Sequence, residues 1–153
     1  MKESLRDLIA VLILALAMSA LAFSSAEAKT EPQIKKIIEM TAIKHGIDPV
    51  LAVAIAQVES NLNPDAIGSL GEIGVYQLRP EYHNVKRGDV RHNVETAIKY
   101  LADIRRKWQP VYGDAWFIKF NLGPNYRTLN HPEKFPYYVR VMRKKQIYLA
   151  GTR

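Results

Sequence analysis

The stretch Asp48-Pro49-Val50-Leu51-Ala52-Val53-Ala54-Ile55-Ala56-Gln57-Val58-Glu59-Ser60-Asn61 decides the fold. Asp before Pro is a helix opening, since proline's fixed φ suits the first turn. The residues from Val50 to Ala56 are all apolar, and the pattern predicts a helix that ends near Ser60 or Asn61. This is the most apolar helix of the chain beyond residue 28. Glu59 does not fit it. A carboxylate near a helix C-terminus gains nothing from the helix dipole, whose C-terminal end is negative. Partial burial beside apolar neighbours raises such a carboxyl towards neutrality, which is the condition a general acid needs. Without further context, the same Glu reads as a surface residue on the exposed edge of an amphipathic helix.

Towards the N-terminus, Thr30-Glu31-Pro32-Gln33 combines a capping box with proline in the first turn. The helix it predicts buries Ile34, Ile37, Ile38 and Thr41/Ala42 and stops at His45-Gly46. Towards the C-terminus, Asn63-Pro64, Gly68, Gly71 and Gly74 mark Asn61 to Gly74 as loop, and the segment from Tyr82 to His92 is polar and irregular. A third helix is predicted from Asn93 as N-cap, with Val94, Ala97, Ile98, Leu101, Ile104 and Trp108 at helical spacing. Asp114 to Leu122 reads as a short aromatic helix ended by Gly123-Pro124. A last, basic helix runs from Glu133 or Pro136 to Leu149, with Tyr138, Val141, Met142 and Tyr148 on its apolar side. No convincing alternating strand pattern and no internal repeat follows residue 28. The fold class is therefore all-α, in a small helical domain.

The first 28 residues differ in kind. Leu8 to Phe23 holds 15 apolar residues in 16, preceded by Lys2 and Arg6 and followed by Ala26-Glu27-Ala28. That order is a secretory leader, and the run is shorter than the roughly 20 residues that span a bilayer unaided. Glu3 and Asp7 dilute the positive start, so a retained anchor is the alternative. Residues 29–153 then form the domain, with 54 of 125 residues apolar, enough for one compact core. Removing the leader leaves 20 basic and 12 acidic residues and moves the net charge from +7 to +8. A basic exported chain suits a polyanion such as a cell wall, an anionic membrane face or nucleic acid. Zero cysteines exclude disulfides, zinc thiolate sites and a lipid-modified N-terminal Cys.

Context changes the reading of Glu59. Glu59-Ser60-Asn61-Leu62-Asn63-Pro64 runs into Ser69-Leu70-Gly71-Glu72-Ile73-Gly74-Val75-Tyr76-Gln77-Leu78-Arg79-Pro80. Later come Phe120-Asn121-Leu122-Gly123 and Tyr138-Val139-Arg140-Val141, with Asn93 to Leu101 as the intervening helix. Four motifs in this order, over roughly residues 34–148, resemble the lytic transglycosylase domain, a goose-type lysozyme-like fold that cuts peptidoglycan. Two departures lie beside the expected sugar site. Tyr76 stands where the family usually has Met, and Glu72 where it usually has a small residue.

The resemblance implies a lyase with one catalytic carboxyl. Glu59 would protonate the oxygen between N-acetylmuramic acid and N-acetylglucosamine. Its carboxylate would then take the proton of the sugar's own 6-hydroxyl, which closes a 1,6-anhydro ring; an intramolecular nucleophile has a high effective concentration. Ser60 would orient the acid, Gln77 would meet an N-acetyl group, and Asn121 would hold backbone near the cleft. Tyr138 could reach the Glu59 carboxyl, and Tyr76 offers a sugar-stacking face or a packing role. Glu72, between glycines, is expected to face solvent and to be dispensable. The alternatives are a lysozyme-type hydrolase with Glu72 as second carboxylate, and a non-catalytic wall-binding or secretion-assembly protein on the same fold. The four histidines show no metal-ligand spacing, so neither metal nor cofactor is predicted. The expected partners are peptidoglycan strands, in the periplasm or cell wall, and possible secretion, conjugation or phage assemblies. Nucleic acid is not expected, because the leader takes the chain out of the cytoplasm, and a membrane is a partner only if the leader is retained.

Overall fold

A computed structural model describes residues 29–123, 126 and 129–151; the leader lies outside the described residues. Five helices follow in order: α1 (Glu31–Lys44), α2 (Pro49–Ser60), α3 (Val90–Tyr112), α4 (Ile118–Leu122) and α5 (Pro136–Gly151). Short 3-10 turns occupy Gly113–Ala115 and Pro132–Lys134. Among the described residues there is no sheet, only isolated bridges from Ile73 to Ile67 and Leu78. The all-α expectation holds. No helix of the described residues is long and apolar enough to cross a membrane.

α2 is the hub. Every residue from Leu51 to Ala56 is buried, and α2 packs against α1 and, most extensively, against α5. Fully burying a Val, Leu or Ile side chain contributes about 1.5–3 kcal/mol, so Leu51, Val53 and Ile55 anchor the core. Ala52, Ala54 and Ala56 carry nothing beyond Cβ, which lets neighbours approach the helix backbone. At Ala52 the approach is visible: the Tyr76 hydroxyl donates to its carbonyl at 3.0 Å.

Both ends of α2 are fixed. Asp48 Oδ1 accepts from the backbone N–H groups of Val50 (2.9 Å) and Leu51 (3.3 Å), and Oδ2 meets Lys145 Nζ of α5 at 2.5 Å. Burial pushes the Asp48 carboxyl up, but Lys145 and the two N–H groups outweigh it and hold the group below its ordinary value. Asp48→Ala should therefore lower stability by about 1 kcal/mol at neutral pH, the usual worth of an N-cap. A carboxylate with a depressed folded pKa stabilises above its unfolded value and loses that contribution as pH falls through the folded one. The gap between Asp48→Ala and wild type should thus close in strong acid, which urea titrations at several pH values would read. At the other end, Asn61 (φ +54°) and Leu62 (φ +64°) both turn left-handed and stop the helix one residue past Ser60.

Two boundaries differ from the sequence reading. α3 begins at Val90, where Asp89 Oδ1 caps the His92 N–H at 3.1 Å, and continues through Pro110 to Tyr112. Asn93 is instead a buried residue inside the helix. Its side chain accepts from Lys86 N–H at 2.8 Å and donates to Lys86 C=O at 2.7 Å, which closes the preceding loop against α3. The aromatic segment splits into the 3-10 turn at Gly113–Ala115 and α4, with Trp116 and Phe117 buried between them.

Candidate active site

Glu59 sits on the last turn of α2, half-buried, and its partner comes from the far end of the chain. The hydroxyl of Tyr137, a fully buried residue on the first turn of α5, donates to Glu59 Oε1 at 2.6 Å. Pro136 opens α5, and Tyr137 with Val141 one turn later forms its buried stripe. Tyr138 is not the residue that reaches the acid. Its ring stacks on Phe117 at 5.4 Å with an interplanar angle of 13°. Adjacent helix positions lie about 100° apart, so one of two successive tyrosines turns inward and the other rides on the neighbouring ring.

Burial raises the Glu59 carboxyl above its ordinary value. The Tyr137 hydrogen bond and the Arg140 guanidinium draw it part of the way back, and the charge of Glu72 adds to the rise. Burial and the neighbouring Glu59 carboxylate push the Tyr137 phenol well above its ordinary value, so it remains a donor. The result is a carboxyl shifted towards its protonated form, with a hydrogen-bond donor beside it for the ionised form.

The segment after Glu59 folds back beside it. Ser60 Oγ donates to the Val75 carbonyl at 2.8 Å and so ties the end of α2 to the glycine-containing loop. Among the described residues, Asn61, Leu62 and Gln77 are the non-glycine residues in left-handed backbone, and all three lie in this segment. Such conformations persist where the surroundings over-determine them. Gly74 (φ +72°) takes the left-handed backbone that favours glycine, and a Cβ there would meet Asn93 Nδ2 tightly, at 3.3 Å. Gln77 Nε2 donates to the carbonyls of Gly74 (2.9 Å) and Ala66 (3.2 Å), so its amide donors are committed to the loop and only Oε1 stays available.

For Tyr76 the structure shows the packing role of the two expected, and for Glu72 the expectation changes. Tyr76 is buried at 2% exposure, with its hydroxyl on Ala52 and its ring edge-on to Phe120 at 6.1 Å; it packs the core and has no face for a sugar. Glu72 is half-buried rather than solvent-facing, and its Oε2 accepts from the Leu70 N–H at 2.9 Å. Gly68 makes that possible, since a Cβ there would lie 2.3 Å from Glu72 Oε2 and 2.8 Å from Gln77 Oε1. Asn121 is exposed on the last turn of α4, just before Gly123.

Sequence reasoning missed Tyr137 and Arg140 as neighbours of the acid. The available signal was the i, i+4 pairing of Tyr137 with Val141, which competes with the i, i+3 pairing of Tyr138 with the same residue. Two grooves elsewhere on the surface are lined by basic side chains, one by Arg105 and Arg106 beside Gly46, the other by Lys29, Lys36, Lys44 and Arg91. Neither contains Glu59. The tyrosine-held carboxyl, not the size of a groove, makes Glu59 the candidate site.

The Transglycosylase SLT domain family matches residues 36–118, which include Glu59 and the loop through Gln77. The chain is 29% identical over 84 residues to the membrane-bound lytic murein transglycosylase F of Desulfosudis oleivorans, covering 52% of this chain and 18% of that protein. The chain thus spans under a fifth of the length of that relative. No solved structure matches it. With the family match covering more than half of its length, the chain belongs to the Transglycosylase SLT domain family.

Proposed function

We propose that the protein is an exported lytic transglycosylase that cuts the β-1,4 bond between N-acetylmuramic acid and N-acetylglucosamine. The observation that carries the reading is the half-buried Glu59 carboxyl, raised by burial and held by Tyr137. Glu59 gives its proton to the bridging oxygen as the C1–O bond breaks. The Tyr137 hydroxyl then stabilises the carboxylate left behind and keeps it aimed at the same point. That carboxylate takes the proton of the 6-hydroxyl, whose oxygen bonds C1 and closes the 1,6-anhydro ring. Water is not consumed, and Glu59 ends protonated, ready for another turnover. Asn121 and the Gln77 carbonyl are the polar groups proposed to meet the substrate, and Ser60 holds the acid's helix against the loop. Residues 1–28 are proposed to direct export.

A hydrolase would need a second carboxylate to activate water. Glu72 is close enough for its charge to act on Glu59, yet its oxygen is engaged by the Leu70 N–H in a loop of its own. Glu72→Ala should accordingly keep most of the activity. Mass spectrometry of soluble fragments from digested peptidoglycan tests both points at once. Anhydro ends from wild type and variant support the lyase. Reducing ends from wild type, with a large loss of rate in Glu72→Ala, would place the protein among the hydrolases, and no fragments at all would leave only a wall-binding role.

A further inference from the structure

α1 has two faces of different kinds. Its inner stripe, Ile34, Ile38 and Ala42, is buried in the core. On the opposite side, Lys36, Met40, Ile43 and Lys44 follow one another at i, i+4, i+7 and i+8 and form an outward stripe. The outward side of a surface helix is ordinarily polar, yet Met40 is 63% exposed and Ile43 67%. Half-buried Ile37 lines the groove beside Met40 and extends the apolar strip.

Cations from three segments surround these side chains. Lys29 comes from the chain before α1, Lys36 and Lys44 from α1 itself, and Arg91 from the first turn of α3. Glu95 is the acid in this lining, and Lys44, His45 and Lys99 already share its Oε1. Among the described residues, Lys29, Lys36 and Arg91 have no ion pair. The groove at Gly46 is different. There Arg105 bonds the Gly46 carbonyl and Gln109, and Arg106 bonds Asp103, so both guanidinium groups are engaged within the domain.

An exposed apolar strip with an unpaired cationic rim suits a surface that is anionic outside and apolar just beneath. A phospholipid bilayer is built that way: lysine and arginine reach its phosphates while apolar side chains enter the boundary below. A soluble polyanion would engage the charges and leave Met40 and Ile43 in water. The chain ahead of α1 favours the bilayer in either fate of the leader. Cleavage after Ala28 adds an α-ammonium group at Lys29, within the cationic rim. Retention leaves the apolar run from Leu8 to Phe23 only five residues ahead of Lys29.

We propose that the outward stripe of α1, with Lys29 and Arg91, seats the domain on the headgroup layer of an anionic phospholipid bilayer. Met40 and Ile43 enter the boundary between headgroups and acyl chains, and Lys29, Lys36 and Arg91 bind the phosphates. This seating is independent of the reaction proposed for Glu59.

The test measures co-sedimentation of the full chain with two kinds of vesicle, phosphatidylcholine alone and phosphatidylcholine mixed equally with phosphatidylglycerol. A retained leader inserts into both kinds, so the ratio of the two affinities reports the outward stripe and its rim. Wild type should prefer the anionic vesicles about 100-fold, near five-fold for each of three cations, and about 0.5 M salt should remove the preference. Lys36→Gln with Arg91→Gln should weaken binding to anionic vesicles about 25-fold. Met40→Ser with Ile43→Ser should weaken it about ten-fold through lost apolar burial. All four side chains are exposed, so both variants should fold as wild type does, which circular dichroism checks. Equal affinity of wild type for the two vesicles, or variants within two-fold of wild type, would overturn the seating. Loss in the Gln pair alone would make the rim a general polyanion site and overturn it too. A dimer that the Ser pair dissolves, with no preference between vesicles, would give the stripe to a second copy of the chain instead.

Discussion

Glu59→Gln is expected to reduce release of peptidoglycan fragments by about 10³-fold or more, the upper part of the range for loss of a general acid and base. The amide keeps the volume and can still accept from the Tyr137 hydroxyl, so the fold should be intact by circular dichroism. Stability supplies a second readout. Folding raises the Glu59 pKa, which means that it disfavours the charged form; wild type therefore loses stability as pH rises through the folded value. The Gln variant carries no such charge. Its denaturation midpoint should match wild type near roughly pH 3.5, where the carboxyl is protonated in both states, and exceed it at about pH 7. Near-wild-type cleavage by a folded Glu59→Gln protein would dismiss Glu59 as the acid.

Tyr137→Phe should lower kcat by about 10-fold to 100-fold, the value of one hydrogen bond to a charged group. Phenylalanine keeps the ring that lies 6.5 Å from Phe117, so most of the packing survives. The bond from the tyrosine pulls the Glu59 pKa down, and its loss should carry the alkaline limb of the pH–rate profile to higher pH. A purely structural residue would change the amount of folded enzyme without moving that limb. An unshifted limb with unchanged kcat would make Tyr137 a packing residue.

Much of this was legible in the sequence, for physical reasons that can be named. The Asp48-Pro49 opening and the apolar run to Ala56 specify α2 locally, and the capping box at Thr30 is realised as the Thr30 N–H bond to Gln33 Oε1 at 2.8 Å. Glu59 stood out because a carboxylate at that end of an apolar helix has no local reason to be there. What stayed hidden depends on tertiary packing. Asn93 looked like a helix cap because Asn caps helices, yet a buried two-way bond to the Lys86 backbone outweighed that preference. Tyr76 fitted a sugar-stacking face and a packing role alike, and the close approach allowed by Ala52 draws its hydroxyl into the core. Tyr137 and Tyr138 both fit the helical period, and only the position of Phe117 tells which one turns towards the acid.

The Glu59–Tyr137 bond joins residues 78 positions apart, and the chain is made from one end only. Glu59 is therefore made 78 residues before Tyr137. A chain made only as far as α2 holds the Glu59 carboxyl without that partner. On the proposed mechanism, the acid gains its hydrogen-bond partner only when α5 docks on α2.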